Sequence, residues 1–286
     1  MASTEATALA RRIEERAQQQ DFKLPVFNPV AIKLQRLMQS DVNMAAIEAL
    51  IVKDAGLASE ILRKANTAYF AGMKPAEELR GALVRLGLSR ARSVVFMASQ
   101  EQAFRAKDVR LNAAMNRLWL HSMVAAVVAR ALANESDRRE IAETAFLAAL
   151  LHDIGSLVIV KVIDEMLAEG ALHCVDDAQL DELVRLLHTD FGHKVLASWG
   201  LPKQLVEIAR DHDLAQYEDN TLLDVVRMVD ALLLQRGIAQ SADAELPLAE
   251  LPEAQRLGLC ETVIASLAEQ ADAARDQALA TAIGRG

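Results

Sequence analysis

The chain has 286 residues, of which 52% are hydrophobic and 25% charged, and its formal net charge at pH 7 is −9. This length is enough for one large or two modest domains that each bury a core. The acidic balance argues against a surface that coats nucleic acid, because binding to phosphates depends on clustered Lys and Arg. We therefore expect a globular protein for which nucleic acid is not a partner.

Neither the N-terminal segment nor the cysteines indicate export or membrane insertion. The first twenty residues contain no apolar run of the kind that a signal peptide needs. The most apolar stretch, residues 146–162, is interrupted by His152 and Asp153, so it does not predict a membrane span. Cys174 and Cys260 lie far apart without a CxxC spacing, which argues against a disulfide framework. Together these features predict a cytoplasmic protein.

Helical periodicity dominates the chain. Only 4% of the residues are aromatic, and the abundant Ala and Leu favour helix over strand. No segment alternates with period two between hairpin turns, so no strand is predicted. In the first third, apolar spacing predicts helices at residues 4–20, 31–38, 55–70, 77–86 and 89–104, with another that starts at Asp41 or Asn43.

From residue 111 the predicted helices become longer and more apolar. They cover residues 115–133, 138–151, 177–199, 203–212 and 221–235. After residue 151 a break is predicted near Gly155, and the helix then continues through residue 167. Residues 237–252 contain the clearest linker, and a final helix at about 253–282 either packs back or pairs with a partner.

Six polar residues interrupt these apolar helices, namely His121, His152, Asp153, His188, His212 and Asp230. Burying an unpaired imidazole or carboxylate costs several kcal/mol, so such groups need a hydrogen bond, an ion pair or a metal. Neutral imidazoles and carboxylates are suitable ligands for Zn, Mn, Fe or Ni. Taken singly, each histidine is better explained as a core residue that donates to a backbone carbonyl.

The order of these residues resembles the metal-binding pattern of the HD superfamily. His121 is followed by Ser and Val, residues 150–155 read LLHDIG, and Asp230 lies within a later helix. The resemblance implies that His121, His152, Asp153 and Asp230 hold one metal. His188 and His212 fall where further histidines of that superfamily hold a second metal. 

The resemblance narrows to one branch, the HDOD domain (HD-related output domain). Residues 53–68, KDAGLASEILRKANTA, are similar to its DPALA…LLRLANSA signature, and residues 81–87, GALVRLG, resemble its AIxxLG element. Residues 119–122 (WLHS) and 199–202 (WGLP) match two further landmarks. Together these motifs cover roughly residues 22–232.

This resemblance implies an all-α fold in which a helical bundle lobe packs on an HD-like helical core. The expected order is a peripheral N-terminal helix at 1–21, the N-terminal lobe at 22–108, the HD-like core at 109–236, and a linker with the C-terminal helix at 237–286. The oligomeric state is not indicated.

Most HDOD proteins are regarded as non-catalytic regulators of bacterial signalling, and many have lost the HD ligands, which this chain keeps. The chain also departs from the branch that hydrolyses cyclic-di-GMP. Ser156 stands where that branch has Lys, and no Gly-Tyr-Pro element follows His212. The missing Lys removes a cation that would contact substrate phosphate.

We therefore expect a signalling protein that acts through a protein partner or a small nucleotide ligand, with a divalent transition metal (Fe, Mn, Zn or Ni) and without strong catalysis. No catalytic residue is assigned. The alternative is a metal-dependent phosphohydrolase acting on a nucleotide or cyclic dinucleotide. Arg85, Arg90 and Arg92 belong to the densest basic run, which predicts either phosphate contacts or, as we prefer, a solvated helix surface paired with carboxylates.

Overall fold

The computed structural model describes residues 4–19, 44–52, 58–59, 61–62, 78–87, 91, 105–238 and 246–283. Within these ranges the ordered elements are helices and no strand occurs, so the predicted all-α class is confirmed. The chain divides into two compact units. The first comprises Met1–Leu24, Phe104–Ser198 and Pro202–Gly286, and the second comprises Pro25–Ala103 and Trp199–Leu201.

The helices fall mainly in the first unit. In chain order they are α1 (Thr4–Gln19), α2 (Met44–Ile51), α3 (Val109–Glu135), α4 (Ala142–Leu151), α5 (Ile154–Ala168), α6 (Asp177–Ser198), α7 (Lys203–Asp211), α8 (Thr221–Gln235), α9 (Pro252–Leu257) and α10 (Glu261–Ile283). Short 3-10 turns lie at Arg139–Ile141 and Leu248–Glu250. The predicted helices at 31–38, 55–70 and 89–104 lie largely or wholly outside the described residues.

In the second unit, α2 buries the side chains of Ile47 and Ile51. Residues 79–87 form another helix, and Gly87 at its end has a left-handed φ of 72°. A glycine adopts this conformation without a steric penalty, which is why it commonly closes a helix.

Local signals in the sequence explain where the long helices of the first unit begin. The Asp108 carboxylate caps α3 by accepting from the N–H groups of Arg110 and Leu111, at 2.9 and 3.1 Å. The amide oxygen of Asn220 caps α8 in the same way. Each cap satisfies backbone donors that have no partner within the helix.

The predicted single helix at 253–282 is wrong, because the structure contains two. Gly258 has a φ of 70° and separates α9 from α10. The N–H of Gly258 bonds back to the preceding turn, which ends α9. Helix α10 packs on α3, and Gln270 donates to Glu135 at 2.6 Å.

The centre of the first unit is formed by α4 and α5, which pack against α3 and α6. The stretch Arg139–Ala168 is apolar and long enough to cross a membrane by composition alone, but 89% of its most apolar window is buried inside the protein. A helix that is apolar on all sides is expected in the core of a protein of this size. Burial within the fold therefore accounts for its apolar character.

Helix α1, expected to be peripheral, lies on α5 and α6. One face buries small and branched side chains at helical spacing, which are Ala6, Ala10, Ile13 and Ala17. The opposite face is polar, and Arg12 donates to the carbonyl of Ala171 at 2.6 Å. The helix thus contributes to the core of the first unit through one stripe.

Candidate metal centre

His152 and Asp153 form the turn between two core helices. Helix α4 ends at Leu151 and α5 begins at Ile154, so the break that the sequence predicted near Gly155 lies at the His-Asp pair, two residues before it. Asp153 occupies the capping position of α5, yet its carboxylate caps no backbone N–H. That carboxylate is therefore free to face the histidines.

The glycine after this turn permits a close approach of two helices. A Cβ atom on Gly155 would lie 1.9 Å from the carbonyl oxygen of His188 and 2.6 Å from the nitrogen of Gly192. No side chain fits in that space, so α5 and α6 touch through their backbones. The contact places a carboxylate oxygen of Asp153 3.7 Å from Nε2 of His188.

Four side chains form a first donor set, consisting of His121, His152, Asp230 and Oδ2 of Asp153. Nε2 of His121 lies 3.2 Å from Oδ1 of Asp230 and 3.4 Å from Nε2 of His152. Oδ2 of Asp153 lies 3.8 Å from Nε2 of His152 and 3.9 Å from that of His121. Ligands of one transition-metal ion, each bound at about 2.0–2.2 Å, stand about 3–4 Å apart. The separations match that spacing.

The other oxygen of the same aspartate belongs to a second donor set, formed with His188, His212 and Asp213. Oδ1 of Asp153 lies 3.4 Å from Nε2 of His212, and the two imidazole Nε2 atoms are 3.3 Å apart. Oδ2 of Asp213 lies 3.2 Å from Nε2 of His188. Asp153 thus joins the two sets, which together we call the His/Asp cluster.

Hydrogen bonds to the backbone determine which ring nitrogens face the cluster. Three of its histidines bond through Nδ1 to a carbonyl three or four residues earlier. These are His152 to Ala149 at 2.8 Å, His188 to Val184 at 2.9 Å and His212 to Ile208 at 3.2 Å. A carbonyl only accepts, so Nδ1 carries a proton and Nε2 faces the cluster, where it can bind a second proton or a metal.

The positions of these donor atoms are more favourable with a cation bound among them than without one. His188 and His212 direct two Nε2 lone pairs at each other across 3.3 Å, which is repulsive unless a proton or a metal lies between them. The Nδ1 atom of His121 is buried without a partner among the described residues. Imidazole nitrogens and carboxylate oxygens are the donors that Zn, Mn, Fe or Ni accept, so the residues present fit a divalent transition metal.

The charges of the cluster compensate one another. Burial disfavours charge on His152, but Asp153 and Asp230 outweigh this effect and raise its pKa to about 9. Burial likewise opposes ionisation of Asp153, yet His152 and His212 hold its pKa well below the ordinary range. The pKa of Asp230 is lowered in the same way by His121 and His152. The carboxylates therefore stay ionised, and in the absence of a metal the protonated His152 balances part of their charge.

A cavity of about 270 Å³ opens onto the cluster. Its walls include the apolar side chains of Leu118, Val184 and Leu234, and Ser156 is buried in its lining. The charged lining residues outside the His/Asp cluster are Arg117, Arg185 and Asp181, all of them exposed at the mouth. A small molecule can thus reach the donor atoms from solvent.

The structure brings together the six side chains to which the sequence assigned metal ligation. Arg85 lies in the helix at 79–87 of the second unit, and the cavity lining does not include it. Arg90 and Arg92 lie outside the described residues. 

Sequence reasoning missed three residues of the site. Asp213 directly follows His212, just as Asp153 follows His152, and this repeated His-Asp pair was a usable signal. Arg117 and Arg185 precede His121 and His188 on their helices by four and three residues. Residues at these spacings lie on one helix face, but only the tertiary fold shows that both line one cavity.

The HDOD domain model matches residues 24–215, more than half of the 286 residues. The chain therefore belongs to the HDOD family, as the motifs indicated. An uncharacterized protein of Treponema pallidum (strain Nichols) is 23% identical over 215 residues, which make up 73% of this chain and 40% of that protein. The chain thus spans less than half the length of this relative.

Solved structures share the fold over nearly the whole chain. A protein of Shewanella amazonensis SB2B, provisionally named a metal-dependent phosphohydrolase, is 21% identical with a TM-score of 0.73, over 96% of this chain and 100% of that chain. An HDOD domain protein of unknown function from Geobacter sulfurreducens is 17% identical with a TM-score of 0.73, over 94% and 98%. A protein of Marinobacter aquaeolei VT8, provisionally named a signal transduction protein, is 17% identical with a TM-score of 0.67, over 96% and 65%. At these identities the likeness shows the fold alone.

Proposed function

We propose that this HDOD protein binds two divalent transition-metal ions in the His/Asp cluster and hydrolyses a small phosphate monoester there. The observation that supports this most directly is the position of Asp153, whose two carboxylate oxygens face different donor sets. Paired divalent ions supply Lewis acidity and an activated water for the hydrolysis of phosphate esters. The alternative predicted from the sequence, a metal-dependent phosphohydrolase, therefore becomes our preferred function.

The residues of the chain have separate roles in this proposal. Asp153 belongs to both donor sets and would be a ligand of both ions. The carbonyl partners of Nδ1 orient His152 and His212 and keep each Nε2 free to bind. Leu118 and Val184 form apolar walls that limit the access of bulk water to the reacting group.

The size of the cavity restricts the substrate. Its volume of about 270 Å³ is at the lower end of the roughly 300–1,000 Å³ typical of small-molecule sites. A phosphate monoester of the size of a mononucleotide or less suits this space better than a cyclic dinucleotide. The expectation of no appreciable cyclic-di-GMP hydrolysis is therefore kept.

A second candidate is a regulator that binds the same ligand without turnover and transmits its presence to a protein partner. Ser156 favours it, because a buried hydroxyl lines the cavity where a cation would stabilise charge on the phosphate. Loss of one such donor typically lowers a rate by about 10²–10³-fold. Under this candidate the regulatory effect depends on binding of the ligand and not on its hydrolysis.

One experiment separates the two candidates. Protein purified without added metal is analysed for Fe, Mn, Zn and Ni and then assayed with p-nitrophenyl phosphate in the presence of Mn²⁺. We expect two ions per chain and metal-dependent phosphate release. Asp153→Asn should lose both ions and all turnover, whereas Asp213→Asn should lose only the ion of the second donor set. The matched control is His173→Ala, an exposed histidine outside the cluster.

The outcomes distinguish the candidates as follows. Two ions without turnover on any small phosphate ester would leave the regulator as the function. Absence of metal from both wild type and Mn²⁺-treated protein would overturn the metal site itself. Turnover that persists in Asp153→Asn would show that a contaminating phosphatase, and not this cluster, produces the activity.

A further inference from the structure

Two arginines flank the mouth of the cavity, one beside each donor set. Arg117 lies four residues before His121 on α3, and Arg185 lies three residues before His188 on α6. With a rise of 1.5 Å per residue, these spacings put each arginine about 4.5–6 Å along the helix axis from its histidine. Both side chains line the same cavity as the donor atoms.

Neither guanidinium has a partner in the part of the chain that the structure describes. No hydrogen bond joins either one to the described residues, and no carboxylate of those residues lies within 4.0 Å, although Asp181 is one turn before Arg185. Arginines elsewhere on the same surfaces do pair, as Arg110 does with Asp108 at 3.9 Å. Both guanidinium groups are exposed and so remain available to an anion from solvent.

We infer that Arg117 and Arg185 bind the phosphate group of the ligand, one from each side of the mouth. This inference rests on the proposed function, since it needs the anion to sit over the His/Asp cluster. The planar guanidinium presents paired N–H donors that match two phosphate oxygens. The two arginines thereby supply the positive charge that Ser156 does not.

The net charge of the metal-loaded site would favour a dianionic phosphate as its ligand. Asp153, Asp213 and Asp230 together carry three negative charges, and two divalent ions would carry four positive ones. Arg117 and Arg185 add two positive charges. Even after Asp181 is counted, the loaded site keeps an excess of about two positive charges, which suits a phosphate monoester or inorganic phosphate better than a neutral ligand.

The test measures binding of inorganic phosphate to Mn²⁺-loaded protein by calorimetry, so that it does not depend on turnover. Arg117→Gln and Arg185→Gln should each weaken phosphate binding roughly tenfold, and the double variant roughly a hundredfold, because each removes a charge-assisted interaction. The metal content of the variants should equal that of the wild type. Arg110→Gln, which removes the same charge two turns earlier on α3, should change binding less than about twofold.

Each result decides between the inference and the proposed function. Phosphate binding that is equally strong in the double variant would overturn the role of the arginines and leave the metal site intact. Weakened binding in the arginine variants of a protein without phosphatase activity would support the inference while removing the hydrolytic proposal. Wild type that loads Mn²⁺ and cleaves p-nitrophenyl phosphate but binds no inorganic phosphate would overturn the inference alone and leave the proposed function standing.

Discussion

At the scale of single residues, Gly155 controls the distance between the two donor sets. It lies two residues after Asp153, and a Cβ atom at this position would overlap the backbone of α6 at His188. Any side chain at this position must push α5 and α6 apart, because the obstructing atoms belong to the backbone and cannot rotate away.

We predict that Gly155→Ala destabilises the fold and weakens the second donor set. The new Cβ would lie 1.9 Å from the carbonyl oxygen of His188. Overpacking of a tight core contact typically costs about 1–3 kcal/mol. Denaturant unfolding should show this loss, and metal analysis should show the ion of the second donor set depleted before that of the first.

Gly192→Ala is the matched control for this variant. Gly192 also lies within a helix, but its Cβ would meet the Ala209 side chain at 3.4 Å, which is close to an ordinary contact. Both variants add the same methyl group to a glycine of a helix, so the comparison isolates the space available for it. Equal stability of the two variants would contradict the assigned role of Gly155.

At the scale of elements, a buried polar network ties the C-terminal part of the first unit to the site. Arg227 on α8 donates to the carbonyl of His212 at 2.5 Å and to the carboxylate of Glu253 on α9 at 2.7 Å. Its guanidinium also lies over the ring of Tyr217, 4.7 Å from the centroid. The end of α7, where His212 begins its turn, is therefore held by α8 and indirectly by α9.

The hydroxyl of Tyr217 lies 2.7 Å from Asp224 and 2.9 Å from Glu253, both of them buried carboxylates. Arg256 completes the network with two hydrogen bonds to Asp224, at 2.6 and 2.9 Å. Each buried acid thus has a cationic partner, as buried charges require. Burial and these two carboxylates raise the pKa of Tyr217, so its hydroxyl stays protonated and can donate.

We predict that Glu253→Gln destabilises the protein at neutral pH and has little effect in acid. Burial raises the pKa of Glu253, but hydrogen bonds from Arg227 and Tyr217 outweigh it and hold the pKa below the ordinary value of 4.5. A group with a lowered folded pKa stabilises the protein above its unfolded pKa, and this stability is lost as the pH falls through the folded pKa. Hydrogen bonds to a charged group contribute about 1.5–3 kcal/mol.

Denaturant unfolding of wild type and Glu253→Gln from pH 7 down to pH 3 measures this difference. The difference in the free energy of unfolding between the two proteins should be constant above about pH 5.5 and should approach zero toward pH 3. Glu250→Gln, an exposed acid three residues earlier, should show no such difference at any pH. If the difference in the free energy of unfolding stayed constant in acid, packing and not the charge of Glu253 would be what stabilises α9.

At the scale of the whole molecule, the helices of the first unit could be predicted because their apolar residues recur at helical spacing. The sequence predicted that helix α3 begins at residue 115, but in the structure it begins at Val109. Val109 is 83% exposed, so apolar periodicity does not include the first turn, which depends on the Asp108 cap. Local capping chemistry therefore determines ends that hydrophobic patterns miss.

The candidate site was only partly predictable for a related reason. The order of His121, the His152-Asp153 pair and Asp230 marks a set of polar residues within apolar helices, and these residues do meet. Asp213 lies in the exposed turn after α7, and the two arginines at the mouth lie on exposed helix surfaces, where charged residues are ordinary. Their significance comes from the approach of α3, α6 and the end of α7 around one cavity, which a single sequence does not encode locally.

The stability of the whole molecule should depend on metal. An ion that binds the folded and not the unfolded chain stabilises the fold by about 2.7 kcal/mol at a concentration 100 times its dissociation constant. For a domain of this size that energy raises the midpoint of thermal unfolding by about 5–10 °C. We predict that chelation lowers the midpoint by at least this amount and that Mn²⁺ restores it. The double change His152→Ala and Asp153→Ala should abolish the response, and His173→Ala should keep it. An equal shift in the double variant would mean that Mn²⁺ stabilises the protein from a site other than the His/Asp cluster.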